Sequence, residues 1–151
     1  MNNEILYGLI GIGIIVFTII IIQFGSKTYY IDINTLCKLL KNTTYKNAGV
    51  STPFDAFVST SNTFKTNCIG SIPCTDKKGT CFDLINSPQI EVRISTKAKK
   101  RTLLYFDTLF LEGDYIVGCR SRFIASLKKK ILISEIAKVE VQEGGKKHKY
   151  V

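Results

Sequence analysis

The stretch ILYGLIGIGIIVFTIIIIQF, from Ile5 to Phe24, sets the first limit on what this 151-residue chain can be. No side chain between Ile5 and Ser26 is charged, a run of 22 residues. As an α-helix that run is roughly 33 Å long, enough to cross a hydrocarbon core of about 30 Å. Isoleucine, leucine, valine and phenylalanine fall on every side of it, so it offers no polar face to water. The residues that follow are too few to wrap it. The expectation is one transmembrane helix over 5–26, preceded by a short flank over 1–4. It does not read as a secretory leader: the only charged side chain ahead of it is Glu4, the apolar stretch exceeds about 15 residues, and no A-x-A-like cleavage site follows. Gly8, Gly11 and Gly13 lack the G-x-x-x-G spacing of a dimerising span and read as ordinary helix packing.

Orientation follows from lysine placement. No Lys or Arg precedes the run, whereas Lys27, Lys38, Lys41 and Lys46 follow it. The positive-inside rule therefore puts the C-terminal domain on the cytosolic side. Lys147 and Lys149 match a cytosolic K-x-K-x-x retrieval pattern of the endoplasmic reticulum, though a solvated basic tail explains them as well. Asn42-Thr43-Thr44 pulls the other way, because a glycosylation sequon at Asn42 is usable only on the lumenal side.

Charge is uneven along the rest of the chain. Residues 27–92 carry 7 basic and 5 acidic groups, residues 93–151 carry 14 and 6. The second half is thus the basic part, and beside a membrane it suits anionic lipid headgroups or an acidic protein partner. Its runs are Lys97, Lys99, Lys100 and Arg101; Lys128, Lys129 and Lys130; and Lys146, Lys147 and Lys149. They form one basic interaction surface if the turns that carry them gather at one end of a sheet; otherwise they are solvated turns. Interleaved aromatic residues for base stacking are missing, so specific nucleic-acid binding is not expected. Isoleucine, lysine and asparagine together supply 46 residues, which points to an AT-rich genome.

The expected fold class is α+β: the anchor, one or two short helices, then a small, mostly antiparallel sheet over 27–143, with a basic tail at 144–151. DINTLCKLLKNT reads as a helix close to the membrane, capped by Asp32 or Asn34, with Leu36, Leu39 and Leu40 on one face. NAGVS reads as its break. TPFDAFVSTSNTF starts like a capping box, with Thr52, Pro53 and Asp55 at the spacing of a helix start and Phe54, Phe57, Val58 and Phe64 facing inward. IEVRIS alternates Ile90, Val92 and Ile94 with Glu91, Arg93 and Ser95, the period of a half-buried strand. Leu103–Leu111 and Tyr115–Phe123 read as a hairpin about Gly113. KKKILIS and AKVEV add strands, and EGGKKHKYV reads as a frayed end.

Cys68, Cys74 and Cys81 contain no C-x-x-C pair, and the single histidine, His148, lies in the tail, so zinc is not expected. CTDKKGTC reads as a hairpin that pairs Thr75 with Thr80 and faces Cys74 toward Cys81, at a separation suited to a disulfide. Cys68 and Cys119 are a second candidate pair, and Cys37 is left over; buried free thiols are the competing reading. No P-loop, G-x-G-x-x-G or H-E-x-x-H motif occurs. One histidine three residues from the C-terminus supplies no base for a serine or cysteine nucleophile, so catalysis and cofactors are not expected.

Two resemblances bear on this reading. The apolar spacing of Leu103–Val141, above all ILISEIAKVEV, resembles small membrane-associated PH-like domains of bacteria, which implies a lipid- or receptor-binding module. The closing C-terminal helix of that barrel is missing here. The overall layout resembles the small single-pass anchored minor structural (minor capsid) proteins of large DNA virus particles. That resemblance implies a structural protein linking a bilayer, such as a virion membrane derived from the endoplasmic reticulum, to neighbouring structural proteins. It also implies a way for disulfides to form on the cytosolic side, because some such viruses carry their own thiol oxidase. A third reading is a non-catalytic subunit of a membrane complex.

Overall fold

The computed structural model describes residues 27–53 and 62–151. The apolar run 5–26 and most of the expected second helix lie outside those residues. Among the described residues, no helix is long and apolar enough to cross a membrane. What they form is mostly antiparallel sheet with one α-helix, the expected α+β class.

The main sheet has six strands: β1 (Thr28–Tyr30), β4 (Ser71–Thr75), β5 (Cys81–Ile85), β6 (Ile90–Thr96), β7 (Arg101–Tyr105) and β11 (Ile136–Glu143). They lie in the order β5-β4-β1-β11-β6-β7. Strand β6 carries the alternation legible in its sequence: Ile90, Val92 and Ile94 are buried, and Glu91 is buried with them. A second sheet, β10-β9-β8, comprises β8 (Phe110–Glu112), β9 (Tyr115–Cys119) and β10 (Lys128–Leu132). A third, β12-β2-β3, comprises β2 (Tyr45–Ser51), β3 (Asn62–Asn67) and β12 (Lys149–Tyr150).

Helix α1 (Ile33–Asn42) starts where the sequence signals it. The Asp32 carboxylate accepts from the Thr35 amide at 3.0 Å, satisfying one orphan N–H of the first turn. Leu36 and Leu40 are fully buried in the main core, and the partly buried Leu39 packs against that core. The chain does not then break at NAGVS, which continues as β2 opposite β3. Phe64 is buried as expected, but from a strand, in a smaller cluster with Val50 and Cys119.

The long expected hairpin is interrupted. Leu103–Leu111 is not one strand, because a 3₁₀ turn at Phe106–Thr108 ends β7 and carries the chain from the main sheet into the second. Only Phe110–Glu112 pairs with Tyr115–Val117. Gly118 allows the two sheets to meet there. A Cβ at this position would stand 2.7 Å from Leu109 Cδ2 and 3.1 Å from Leu104 Cδ1.

The register of β11 gives the main sheet two distinct ends. Thr28 lies opposite Gln142, while Ile136 at the other end of β11 lies opposite Thr96. At about 3.3 Å per residue the β6–β7 turn, residues 97–100, stands roughly 20 Å from the point where Lys27 enters the domain.

Gly118→Ala is expected to cost about 1–3 kcal/mol through overpacking between Leu104 and Leu109. Chemical denaturation of the full chain checks it; an unchanged midpoint contradicts the close approach.

Candidate functional site

The 3₁₀ turn places Asp107 inside the protein, and the β9–β10 loop turns Arg122 back to meet it; both side chains are completely buried. Asp107 Oδ1 accepts from Arg122 Nη2, and Asp107 Oδ2 accepts from the Tyr150 hydroxyl at 2.8 Å. The same Nη2 donates to the Pro88 carbonyl at 2.8 Å. The guanidinium lies 4.1 Å from the centre of the Tyr105 ring and 5.3 Å from that of Phe64, so aromatic carbon packs against it. Lys146 donates to Glu91 Oε1 at 2.9 Å and to the Tyr105 hydroxyl at 3.2 Å. Desolvation disfavours the charge on Lys146, but these hydrogen bonds outweigh it and the pKa is raised.

This arrangement corrects the reading of residues 144–151 as a frayed tail. Lys149 and Tyr150 pair with Ser51 and Val50, His148 is buried edge-on against Tyr105, and Val151 lies over Gly49. Lys149 and Tyr150 form the last strand of the third sheet. Chemically, the Asp107–Arg122 pair is a closed lock: two opposite charges sealed from solvent join the sheet-switching turn, the β9–β10 loop and the C-terminal strand.

The basic runs separate into two groups. Lys100 lines a groove of about 230 Å³ with Lys129, Lys130 and one carboxylate, Glu135, between the β6–β7 turn and β10, so the lining carries an excess of positive charge. Lys97, Lys99 and Arg101 are exposed at the same turn, which is tightened by Lys99 in the left-handed region, φ 61°, and by the Lys97 amide donating to the Glu135 carbonyl. Lys130 is partly neutralised by an exposed ion pair with Glu112. Lys146 and Lys149 do not join this group, because Lys146 is held by Glu91 and Lys149 belongs to β12; Lys147 is exposed between them. Lys128 sits at the far end of β10, opposite Cys119. A single basic face is thus replaced by a basic groove at one end and separate lysines elsewhere.

All five cysteines are free thiols. The expected Cys74–Cys81 bridge fails on register: Thr75, not Thr80, pairs with Cys81, and Cys74 pairs with Phe82. One residue of offset turns the two side chains to opposite faces, leaving Cys74 buried and Cys81 exposed. Cys68, exposed after β3, and buried Cys119 are likewise unbridged. Burial raises the pKa of Cys37, Cys74 and Cys119, which holds these thiols protonated and poorly nucleophilic. Asn42 is exposed at the last residue of α1. Among the described residues no three His, Cys, Asp or Glu side chains gather as metal ligands.

Searches of family models, of curated proteins and of solved structures find no match to this chain. The sequence reading missed Asp107, Arg122 and Tyr150. The available signal was Asp107 itself, an acid inside the apolar run TLLYFDTLFL.

Arg122→Ala removes the partner of a completely buried carboxylate, so a loss of about 3–5 kcal/mol is expected in denaturant unfolding; a loss below 1 kcal/mol contradicts the lock. Tyr150 keeps 45% of its surface exposed, yet its hydroxyl points inward. Desolvation, then the charge of Asp107 and the hydrogen bond to it, raise its pKa. The folded state therefore holds this proton more tightly than the unfolded state, and stability falls as pH rises above about 10. Tyr150→Phe is expected to make that alkaline decline shallower; an unchanged slope contradicts the assignment.

Proposed function

We propose that this chain is a single-pass, membrane-anchored, non-catalytic protein that links a bilayer to an adjacent protein layer, in the manner of a minor structural protein of a large DNA virus particle. The observation that carries this reading is the two-ended sheet. The uncharged run 5–26 joins the domain through Lys27, beside the Thr28–Gln142 end of β11. The β6–β7 turn with Lys97, Lys99 and Lys100 lies at the opposite end, roughly 20 Å along β11, and the groove that Lys100 lines runs from it along β10 to Lys130 and Lys129. With the run in a bilayer, that turn faces away from the membrane and toward whatever lies above it. Its charge selects an acidic surface, and at physiological ionic strength the attraction reaches only about 8 Å, so the partner is a close neighbour. The sealed Asp107–Arg122 pair and the protonated buried thiols support a binding role over a catalytic one. The lysines that follow the run favour the cytosolic side for the domain.

Alkaline carbonate is expected to leave the full chain in the membrane pellet. Replacing Lys97, Lys100, Lys129 and Lys130 with Glu is expected to keep that retention but abolish salt-sensitive cross-linking to neighbouring proteins. Release of the intact chain by carbonate overturns the anchor; undiminished cross-linking of the charge-reversed chain overturns the groove.

A further inference from the structure

The β9–β10 loop, residues 120–127, is internally well tied yet leaves large apolar side chains about half exposed. Arg122 fixes its inner side to Pro88 and Asp107. Asn62 Nδ2 donates to the carbonyls of Arg122 and Phe123, and Ser121 Oγ accepts from the amides of Phe123 and Ile124. The Arg120 amide closes the loop on the Leu127 carbonyl at 2.9 Å. On this frame Phe123, Ile124 and Leu127 are 55%, 54% and 43% exposed. Three large, partly exposed apolar side chains on eight residues form a concentrated tip. Arg120 and Lys128, both exposed, flank the tip, and no acidic residue occurs between Asp114 and Glu135.

The loop also sits at a particular end of the domain. Pro88, which Arg122 holds, is two residues ahead of Ile90, and Ile90 lies opposite Glu143. Glu143 is next to Gln142, the partner of Thr28. The Cys119 amide donates to Thr108 Oγ1, just past the same end of β7. The apolar tip and the entry point of the 5–26 run therefore share one end of the sheet, away from the β6–β7 turn that carries Lys97, Lys99 and Lys100.

We infer that the β9–β10 loop is a second, interfacial contact with the bilayer that holds the anchor, with Phe123, Ile124 and Leu127 entering the headgroup–acyl boundary and Arg120 and Lys128 meeting anionic headgroups. The inference rests on the anchored reading above. An apolar tip inside a cationic collar fits a lipid surface, which offers hydrocarbon beneath phosphate, better than an acidic protein face, which offers no apolar layer. The tether makes the contact intramolecular, so it needs little affinity of its own. It would also stop the domain from swivelling about Lys27, fixing which way the basic groove points.

The absence of tryptophan from the chain permits a clean test. The full chain carrying Ile124→Trp is reconstituted into phosphatidylcholine–phosphatidylserine vesicles and purified by flotation. Its emission is expected to shift to the blue and to fall at least twofold when the acyl chains are brominated. Lys97→Trp, at the opposite end, is expected to show neither change. Adding Arg120→Gln and Lys128→Gln to the Ile124→Trp chain is expected to weaken the quenching on phosphatidylserine vesicles. Floated Ile124→Trp protein that is quenched by aqueous iodide but not by brominated lipid overturns the inference while leaving the anchor standing. Blue-shifted emission quenched by neither overturns it in favour of a protein covering. Failure of the chain to float overturns the anchored reading instead.

Discussion

The buried pair of Asp107 and Arg122 is the interaction on which the architecture depends. Two charges removed from water are costly unless their remaining hydrogen-bonding groups and surroundings compensate. Here Tyr150 satisfies the second carboxylate oxygen, the Pro88 carbonyl takes a guanidinium proton, and the Tyr105 ring covers one face of the cation, while Arg122 Nε and Nη1 are buried with no hydrogen-bond partner among the described residues, so the compensation is partial. Each of these partners comes from a different part of the chain. The pair therefore joins the end of β7, the connection into β6, the β9–β10 loop and the C-terminal strand at one point. Removing any one contributor exposes the others to an unfavourable environment, which makes the local structure cooperative.

That junction gives the domain its polarity. It sits at the end of the main sheet where Thr28 enters, and it leaves the β6–β7 turn to form a separate, basic end with β10. Under the proposed anchoring, this places the tether at one end and the cationic turn at the other, an arrangement suited to holding two layers together. The β9–β10 loop belongs to the first end because Arg122 anchors it there, so the charge pair that stabilises the fold also sets the direction in which the loop's apolar tip projects.

Local signals in the sequence were reliable where the determining contacts are local. Asp32 ahead of a leucine-bearing face predicted α1, because an N-cap and an i, i+3, i+4 stripe are both decided within one turn. The alternation in IEVRIS predicted β6 for the same reason. Register was not legible. The Asp76 carboxylate accepts from the amides of Lys78 and Thr80, and Gly79 takes φ +82°, so the β4–β5 turn closes between Asp76 and Thr80. A three-residue loop with glycine in the left-handed region, in place of a four-residue turn, moved the pairing by one and separated Cys74 from Cys81. Long-range partners were equally invisible. NAGVS contains residues that often interrupt structure, yet it is a strand because β3 pairs along it and Val151 closes over Gly49. The tail lacks any apolar period, but Tyr150 finds Asp107 across 43 positions of sequence. Of the site, the basic turn and the β10 lysines could be named from sequence; that they share a groove while Lys128 and Lys146 do not depends on strand pairings that no window of residues encodes.

The claim that this domain stands on a bilayer by one defined end is tested most directly by its lysines. Residue-by-residue acylation with a membrane-impermeant reagent, read by mass spectrometry, compares the full chain in detergent with the same chain in lipid nanodiscs. Lys27 and Lys128 are expected to lose reactivity in the bilayer, while Lys97, Lys99 and Lys100 keep theirs. Equal reactivity at both ends in the two settings, or protection confined to the Lys97–Lys100 turn, would contradict the account.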